Sequence, residues 1–415
     1  MIFNTQQDGR GLEPRPFIVI FTNTFPYGTG ETFFEMELPY LLALKHPVIL
    51  APLYGTGMMR TIPSVPEAPV SVAPPLLSFD PKDKFRLFCH GLFNGAPLFF
   101  ALRDFFTAQI WRSRKKTWSF GVSFLLLRAL HSKNRLFFSQ LGKAHLYFYW
   151  ADKTALILPF LANKGKVVVR FHGSDLYEEV KGCLPFRKRI FPHIDLACPT
   201  SQHGADYLRA RYGSTTPPLM VARLGTPDYG LGPEPLPTAP FHIVSCANVI
   251  SLKRIELILQ ALTFIHRPVS WTHIGDGPLR HHIEKAAQEA ELSVHFCGAL
   301  PHEAVMEFYK NTSVHLFVST SRSEGVPVSM MEAMSFGIPV MATAVGGVPE
   351  LVSDRIGVLL PANPLPEEIA QKLSDFIHLP QDTSVQKRQA ARTEWENRWS
   401  AQKNYPLFCN TLIQF

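Results

Sequence analysis

The stretch Val314-His-Leu-Phe-Val-Ser-Thr-Ser-Arg-Ser-Glu324-Gly325-Val326-Pro327-Val328-Ser-Met-Met-Glu332-Ala-Met-Ser-Phe-Gly337-Ile-Pro-Val-Met-Ala-Thr-Ala-Val-Gly346-Gly347-Val-Pro-Glu350 decides the fold. Val314–Val318 reads as a short buried strand, and the polar loop Ser319–Ser323 leads into a helix. Pro327 near the helix start and Gly337 just past its end suit those positions, since proline lacks only an N–H that the first turn cannot use. Ile338–Ala342 reads as the next strand, which makes a strand–loop–helix–strand unit of a parallel sheet. Ligands of such sheets sit beyond the carboxyl ends of the strands, so Ser321–Ser329 is the segment to watch. Glu324 on the loop can accept hydrogen bonds from sugar hydroxyls, and Glu332, about two turns along the helix, can bind a ribose diol. Between them the free N–H groups around Val326–Ser329 form a positive helix end suited to a diphosphate.

The frame around this unit is large enough for two such sheets. At 415 residues two domains are expected, and 46% hydrophobic with 18% charged residues is a globular composition. The six cysteines, Cys89, Cys183, Cys198, Cys246, Cys297 and Cys409, are scattered in mostly apolar contexts. Reduced thiols fit that pattern better than disulfides or a metal knuckle, and no metal site is expected. The amino terminus lacks the basic-then-apolar order of a signal peptide, and the apolar run Leu87–Leu102 is too short to span a bilayer. A cytoplasmic protein is expected. Residues 82–145 carry twelve Lys/Arg against Asp83 and Asp104, although the whole chain has a net charge of only +7. Phe99, Phe100, Phe105, Phe106, Ile110 and Trp111 interleave with those charges. Basic plus aromatic suits an anionic membrane surface rather than nucleic acid, which would place the protein peripherally on the inner face of the membrane. An ordinary solvated helical face is the alternative.

In chain order, residues 1–15 look disordered, and Phe17–Thr22 is a buried strand. It is followed by Gly28, Gly30 and Glu31, where glycines between strand and helix let backbone N–H groups approach a phosphate; a plain turn is the other reading. Leu38–Leu44 continues a helix, Pro47–Pro52 is a strand, and Leu146–Trp150 and Val167–Phe171 are parallel strands with a helix over Lys153–Leu161 between them. His172, directly at a strand's carboxyl end, could donate to a sugar hydroxyl or hold a backbone carbonyl; capping of the Ser174/Asp175 turn is the alternative. Leu219–Leu224 reads as the last strand of the first domain. A linker rich in proline and glycine follows over 227–240. The run Phe241-His-Ile-Val-Ser-Cys-Ala-Asn248-Val-Ile-Ser-Leu-Lys253-Arg254-Ile opens the second domain as a strand, a loop and the helix Ile255–Leu262. Gly275-Asp276-Gly277 is a turn after a strand, with Asp276 turn-forming rather than a metal ligand.

The run Ser-Glu324-Gly-Val-Pro-Val-Ser-Met-Met-Glu332-Ala with Gly346-Gly347-Val-Pro-Glu closely resembles the nucleotide-sugar-binding signature of the retaining, GT-B-fold glycosyltransferases of family four. The Gly28-x-Gly30-Glu31-Thr-Phe loop, His172-Gly-x-Asp and Gly275-Asp-Gly277-Pro are similar to further elements of that family. The resemblance implies an α/β fold of two doubly wound Rossmann-like domains facing across a cleft. Residues 16–226 would bind the acceptor and 241–390 the donor, with 391–415 as a helix packing back on the first domain. It implies transfer of a sugar from a UDP-, GDP- or ADP-sugar to an acceptor hydroxyl with retention, without a cofactor, by front-side displacement in which the leaving phosphate helps deprotonate the acceptor. Glu324, His172 and Lys253 would be the catalytic group. The family's Gly-Arg-Leu-x-x-x-Lys loop keeps its lysine as Lys253, but Ala247 and Asn248 stand where glycine and arginine are expected. Arg254 is then the candidate substitute for the missing arginine. A lipid-linked oligosaccharide for capsule, exopolysaccharide or O-antigen is the expected acceptor. A nucleotide-sugar epimerase on the same fold, or a catalytically silent membrane-surface subunit, are the alternatives.

Overall fold

The computed structural model describes residues 16–63, 65–77, 101–106, 110–161, 164–181, 183–236 and 239–414. The expectations for residues 1–15 and for much of the basic block, including residues 87–100, lie outside these. The chain divides into two compact units, one reaching to Ala222 and taking in the chain from Tyr405 onward, the other Arg223–Asn404.

The first unit is built on a six-stranded sheet of β1 (Ile18–Thr22), β2 (Val48–Pro52), β3 (Val70–Val72), β4 (His145–Phe148), β5 (Val167–Phe171) and β6 (Leu196–Pro199). The spatial order is β3-β2-β1-β4-β5-β6, every pair parallel. Parallel strands covered on both faces must be apolar on both, which is why Ile18–Thr22 is buried at every position. Val19 and Phe21 enter one hydrophobic cluster and Ile18 and Ile20 the other, one on each side of the sheet. The second cluster also contains Phe408, Cys409 and Leu412 of the helix Ala401–Gln414.

The second unit repeats the plan with β7 (Phe241–Cys246), β8 (Val269–Ile274), β9 (Val294–Gly298), β10 (Leu316–Ser319), β11 (Val340–Thr343) and β12 (Val358–Leu360). Its order, β12-β11-β10-β7-β8-β9, is the same doubly wound topology. In each sheet the strand order reverses between two neighbours, β1 and β4 in the first and β7 and β10 in the second. The carboxyl ends of those pairs are where an open parallel sheet leaves a crevice.

Three readings of the sequence change. Leu219–Leu224 is reduced from a full strand to a bridge at Leu219, yet it still runs along β6: Ala197 donates its N–H to the Pro218 carbonyl at 2.8 Å, and Met220 and Ala222 donate to the carbonyls of Ala197 and Pro199 at 3.1 and 2.9 Å. Lys153–Leu161 is not an α-helix but a 3₁₀ segment, Thr154–Phe160, with Pro159 inside it. The strands expected at Val314 and Ile338 begin two residues later, at Leu316 and Val340. The segment 391–415 is divided between the units. The helix Gln381–Arg398 lies in the second, with Trp395 Nε1 donating to Thr226 Oγ1 at 2.7 Å, whereas the chain from Tyr405 belongs to the first.

Candidate active site

In the second unit the loops that follow β7 and β10 flank the reversal of strand order, and they meet in an ion pair. Lys253 Nζ lies 2.5 Å from Glu324 Oε1, the side chains keeping 23% and 12% of their surface exposed. Just beyond Glu324 the helix Val328–Ser335 starts on Pro327 with no side-chain cap, so its leading N–H groups are not closed off by its own sequence. Gly337, at φ +74°, stops that helix as expected.

The loops are held by close backbone approaches. Gly346 has φ +54°, and a Cβ there would stand 1.8 Å from the Glu324 carbonyl oxygen; the Gly347 N–H donates to the Gly325 carbonyl at 2.7 Å. The loop after β11 therefore fixes the backbone that carries Glu324. On the other flank, a Cβ on Gly275 would lie 1.9 Å from the Ala247 carbonyl oxygen and one on Gly277 2.5 Å from that of Val249. Val249 donates its N–H to the Asp276 carbonyl at 2.9 Å. These glycines lace the β8 loop to the β7 loop that presents Lys253, so they bear on a ligand through that loop. Asn248 is exposed on it. Asp276 forms its turn by accepting from the Gly277 N–H at 2.7 Å and pairs with Arg280 at 3.0 Å.

Arg254 is corrected. Its backbone is left-handed at φ +49°, and its side chain is buried. Nε donates to the Thr320 carbonyl at 2.6 Å, one terminal nitrogen to the carbonyls of Ser321 and Ala362 at 3.0 and 2.8 Å, and the other to Asn363 Oδ1 at 3.1 Å. Four of the five guanidinium N–H groups are thereby engaged, so Arg254 clamps three loops together instead of facing a phosphate. Thr320 and Asn363, which complete the clamp, carried no signal of their own in the sequence.

Glu332 is buried on the inner side of its helix, and its Oε1 accepts from His302 Nε2 at 2.9 Å. His302 was not singled out from the sequence, although it opens a helix directly after Pro301. Both carboxylate oxygens of Glu332 retain lone pairs for hydroxyl donors. At the end of β7 burial pushes the Cys246 thiol up to about 12, so it stays protonated and is no nucleophile. Among the described residues no group of three His, Cys, Asp or Glu side chains is placed to hold a metal.

The first unit has its own loops at the β1–β4 reversal. Glu31 does not face outward: its carboxylate accepts from the N–H groups of Asn23, Thr24 and Phe25 at 3.0, 2.7 and 2.7 Å, and from Trp150 Nε1 at 2.5 Å. It ties the β1 loop to the β4 loop. Gly28, at φ +69°, is pinned by Arg60, whose Nε donates to its carbonyl at 2.6 Å, and Arg60 also donates to the Gly30 carbonyl. His172 lies 7% exposed at the end of β5, and its Nε2–H donates to the Tyr149 carbonyl at 2.9 Å. Burial and the nearby Arg170 charge lower it from 6.5 to about 3, so the ring is neutral and offers Nδ1 as an acceptor. It therefore holds a backbone carbonyl and has no N–H left for a sugar. The Asp175 carboxylate caps the turn by accepting the His172 N–H at 2.6 Å.

Comparison with known proteins agrees with this architecture. Residues 233–394 match the family described as glycosyl transferases group 1, and the fold of the chain is GT-B. It is 29% identical over 253 residues, 58% of this chain and 62% of the relative, to the putative colanic acid biosynthesis glycosyltransferase of Escherichia coli (strain K12). The chain spans less than two thirds of the length of the curated relatives it matches first. Among solved structures, sucrose-phosphate synthase from Thermosynechococcus elongatus superposes with a TM-score of 0.68 at 17% identity, covering 96% of this chain and 98% of that one. Anabaena HepE, solved with UDP and glucose, does so with a TM-score of 0.63 at 15% identity, covering 97% and 100%.

Proposed function

We propose that the protein is a glycosyltransferase of polysaccharide biosynthesis, moving a sugar with retention from a nucleoside diphosphate sugar to a hydroxyl of a lipid-linked oligosaccharide. The observation that carries this reading is the Lys253–Glu324 pair at the reversal of the second sheet, beside an uncapped helix start. The colanic acid relative and the UDP-containing neighbour support the acceptor and donor classes.

On this reading the donor's diphosphate lies against Lys253 and the N–H groups at the start of the helix Val328–Ser335. As the glycosidic bond breaks, negative charge grows on the leaving phosphate, and a fixed cation and fixed dipoles stabilise it with no reorganisation. Glu324 accepts from the sugar's hydroxyls, and Glu332, steadied by His302, accepts from the ribose. The leaving phosphate takes the acceptor proton. With Arg254 engaged in its clamp, Lys253 and the N–H groups carry the phosphate charge. A panel of UDP-, GDP- and ADP-sugars, followed by nucleoside diphosphate release with and without lipid-linked acceptor, tests the proposal. Acceptor-dependent release from one of them is expected; absence of both binding and turnover across the panel would overturn it in favour of a silent subunit.

A further inference from the structure

Two cavities of the first unit meet along one wall, one mainly apolar and the other rich in basic side chains. The first, about 380 Å³, is lined mainly by carbon: Trp118, Val122 and Leu126 on one side, Leu156 and Ile190 on the other. Trp118, Val122 and Leu126 recur every four residues on the helix Arg114–Lys133 and so form one stripe. That stripe is left partly in water, Trp118 being 76% and Val122 49% exposed, a costly arrangement for an aromatic ring unless something covers it. The second cavity, about 420 Å³, is lined by Lys116, Lys188, Arg189 and Arg211, with Arg187 at its wall and Asp104 and Glu178 as its acidic residues. Arg211 pairs with Glu178 at 2.6 Å and Arg189 lies 3.8 Å from Asp104. Arg187 donates to the carbonyls of Leu176 and Asp175. Lys116 and Lys188 are both exposed. The excess of positive charge is therefore carried at the rim by two lysines. The common wall is Cys183–Arg187, and Ala151–Lys153, just past the carboxyl end of β4, borders the apolar cavity.

An apolar slot opening beside a basic one matches a molecule with a long hydrocarbon chain ending in phosphate. We infer that these two cavities together bind the lipid diphosphate end of the acceptor, the chain along Trp118, Val122 and Leu126 and the phosphates at Lys116 and Lys188. This rests on the transferase reading above and names where its acceptor is held. Charge complementarity distinguishes it from a purely apolar partner, and the volume of the half-open slot distinguishes it from a flat membrane contact.

Calorimetric titration of the full chain with farnesyl diphosphate, farnesol and inorganic pyrophosphate tests it. Farnesyl diphosphate should bind at least tenfold more tightly than either half. Leu126→Glu, and separately the exposed pair Lys116→Glu with Lys188→Glu, should each weaken it at least tenfold while thermal unfolding and UDP binding stay as in the parent. Displacement of farnesyl diphosphate by UDP, equal affinity for pyrophosphate, or no response to either set of substitutions would overturn the assignment. So would binding to anionic vesicles without binding of farnesyl diphosphate. Intact nucleotide-sugar binding alongside any of those results sinks the slot alone; failure of the nucleotide-sugar panel sinks the transferase reading itself.

Discussion

Each unit holds a cation–carboxylate pair near its sheet, and the two pairs are built to opposite ends. Arg170 on β5 pairs with Glu37 with both side chains wholly removed from solvent. Tyr147 donates its hydroxyl to the same carboxylate at 2.9 Å, and the Arg170 guanidinium lies 4.0 Å from the centre of the Phe408 ring. Nothing can reach that pair. Lys253 and Glu324 stand at loop ends and keep part of their surface open. A sealed pair is repaid for its desolvation only by staying whole, whereas an open pair can exchange its partner for a ligand's charge. Proximity of opposite charges therefore says little about function until access is known.

The contrast is broken most severely by Glu37→Ala, which strands Arg170 in an apolar interior. The first unit should lose about 3–5 kcal/mol of unfolding free energy in denaturant titration. A loss under about 1 kcal/mol would mean that the pair is not sealed. Lys253→Ala should do the reverse. Stability should change by no more than about 1 kcal/mol, while kcat/KM with the productive nucleotide sugar falls about 10²–10³-fold, the scale of losing one preorganised group that meets developing charge. Equal damage to folding and turnover would erase the distinction between the two pairs.

A graded effect, nil at neutral pH, belongs to His172, sealed but without a charged partner. Its folded value near 3 lies below the ordinary 6.5, so between those values the unfolded chain binds a proton that the folded one refuses. Stability therefore falls as pH drops from about 6.5 toward 3, by at most about 1.4 kcal/mol per pH unit. Hydrogen-exchange protection of β4 and β5 should follow that slope, and His172→Gln should flatten it. A slope unchanged in the variant would assign the acid sensitivity to other groups.

Much of this plan could be read from residue order, because buried parallel strands announce themselves as unbroken apolar runs. Val167–Phe171 and the helix Ile255–Leu262 fall where they were expected, and the second domain opens on a strand at Phe241 as read. What could not be read was which polar groups meet. Glu37 and Arg170 are far apart in the chain, and only the charge inside the otherwise apolar Val-Val-Val-Arg-Phe run hinted at a buried partner. Arg254 stood in the right neighbourhood for a phosphate, yet its guanidinium is taken up by the Thr320, Ser321 and Ala362 carbonyls and Asn363, and no residue type declares such a set of partners. Glu31 is a related case: it follows two glycines, and the N–H groups its carboxylate accepts from are those of its own loop, a pairing that residue type does not announce. Chain order reveals the frame well because burial is periodic, and reveals a site's geometry poorly because hydrogen bonding is not.

Phe408, Cys409 and Leu412 fill the core of the first unit although the chain leaves that unit at Ala222. During synthesis one face of this sheet stays incompletely covered until the last of its packing residues has cleared the ribosome, long after its six strands are made. A polypeptide stopped at Ala222 would keep every strand and still present a hollow where Phe408 belongs, making it a poor folder and a ready target for chaperones.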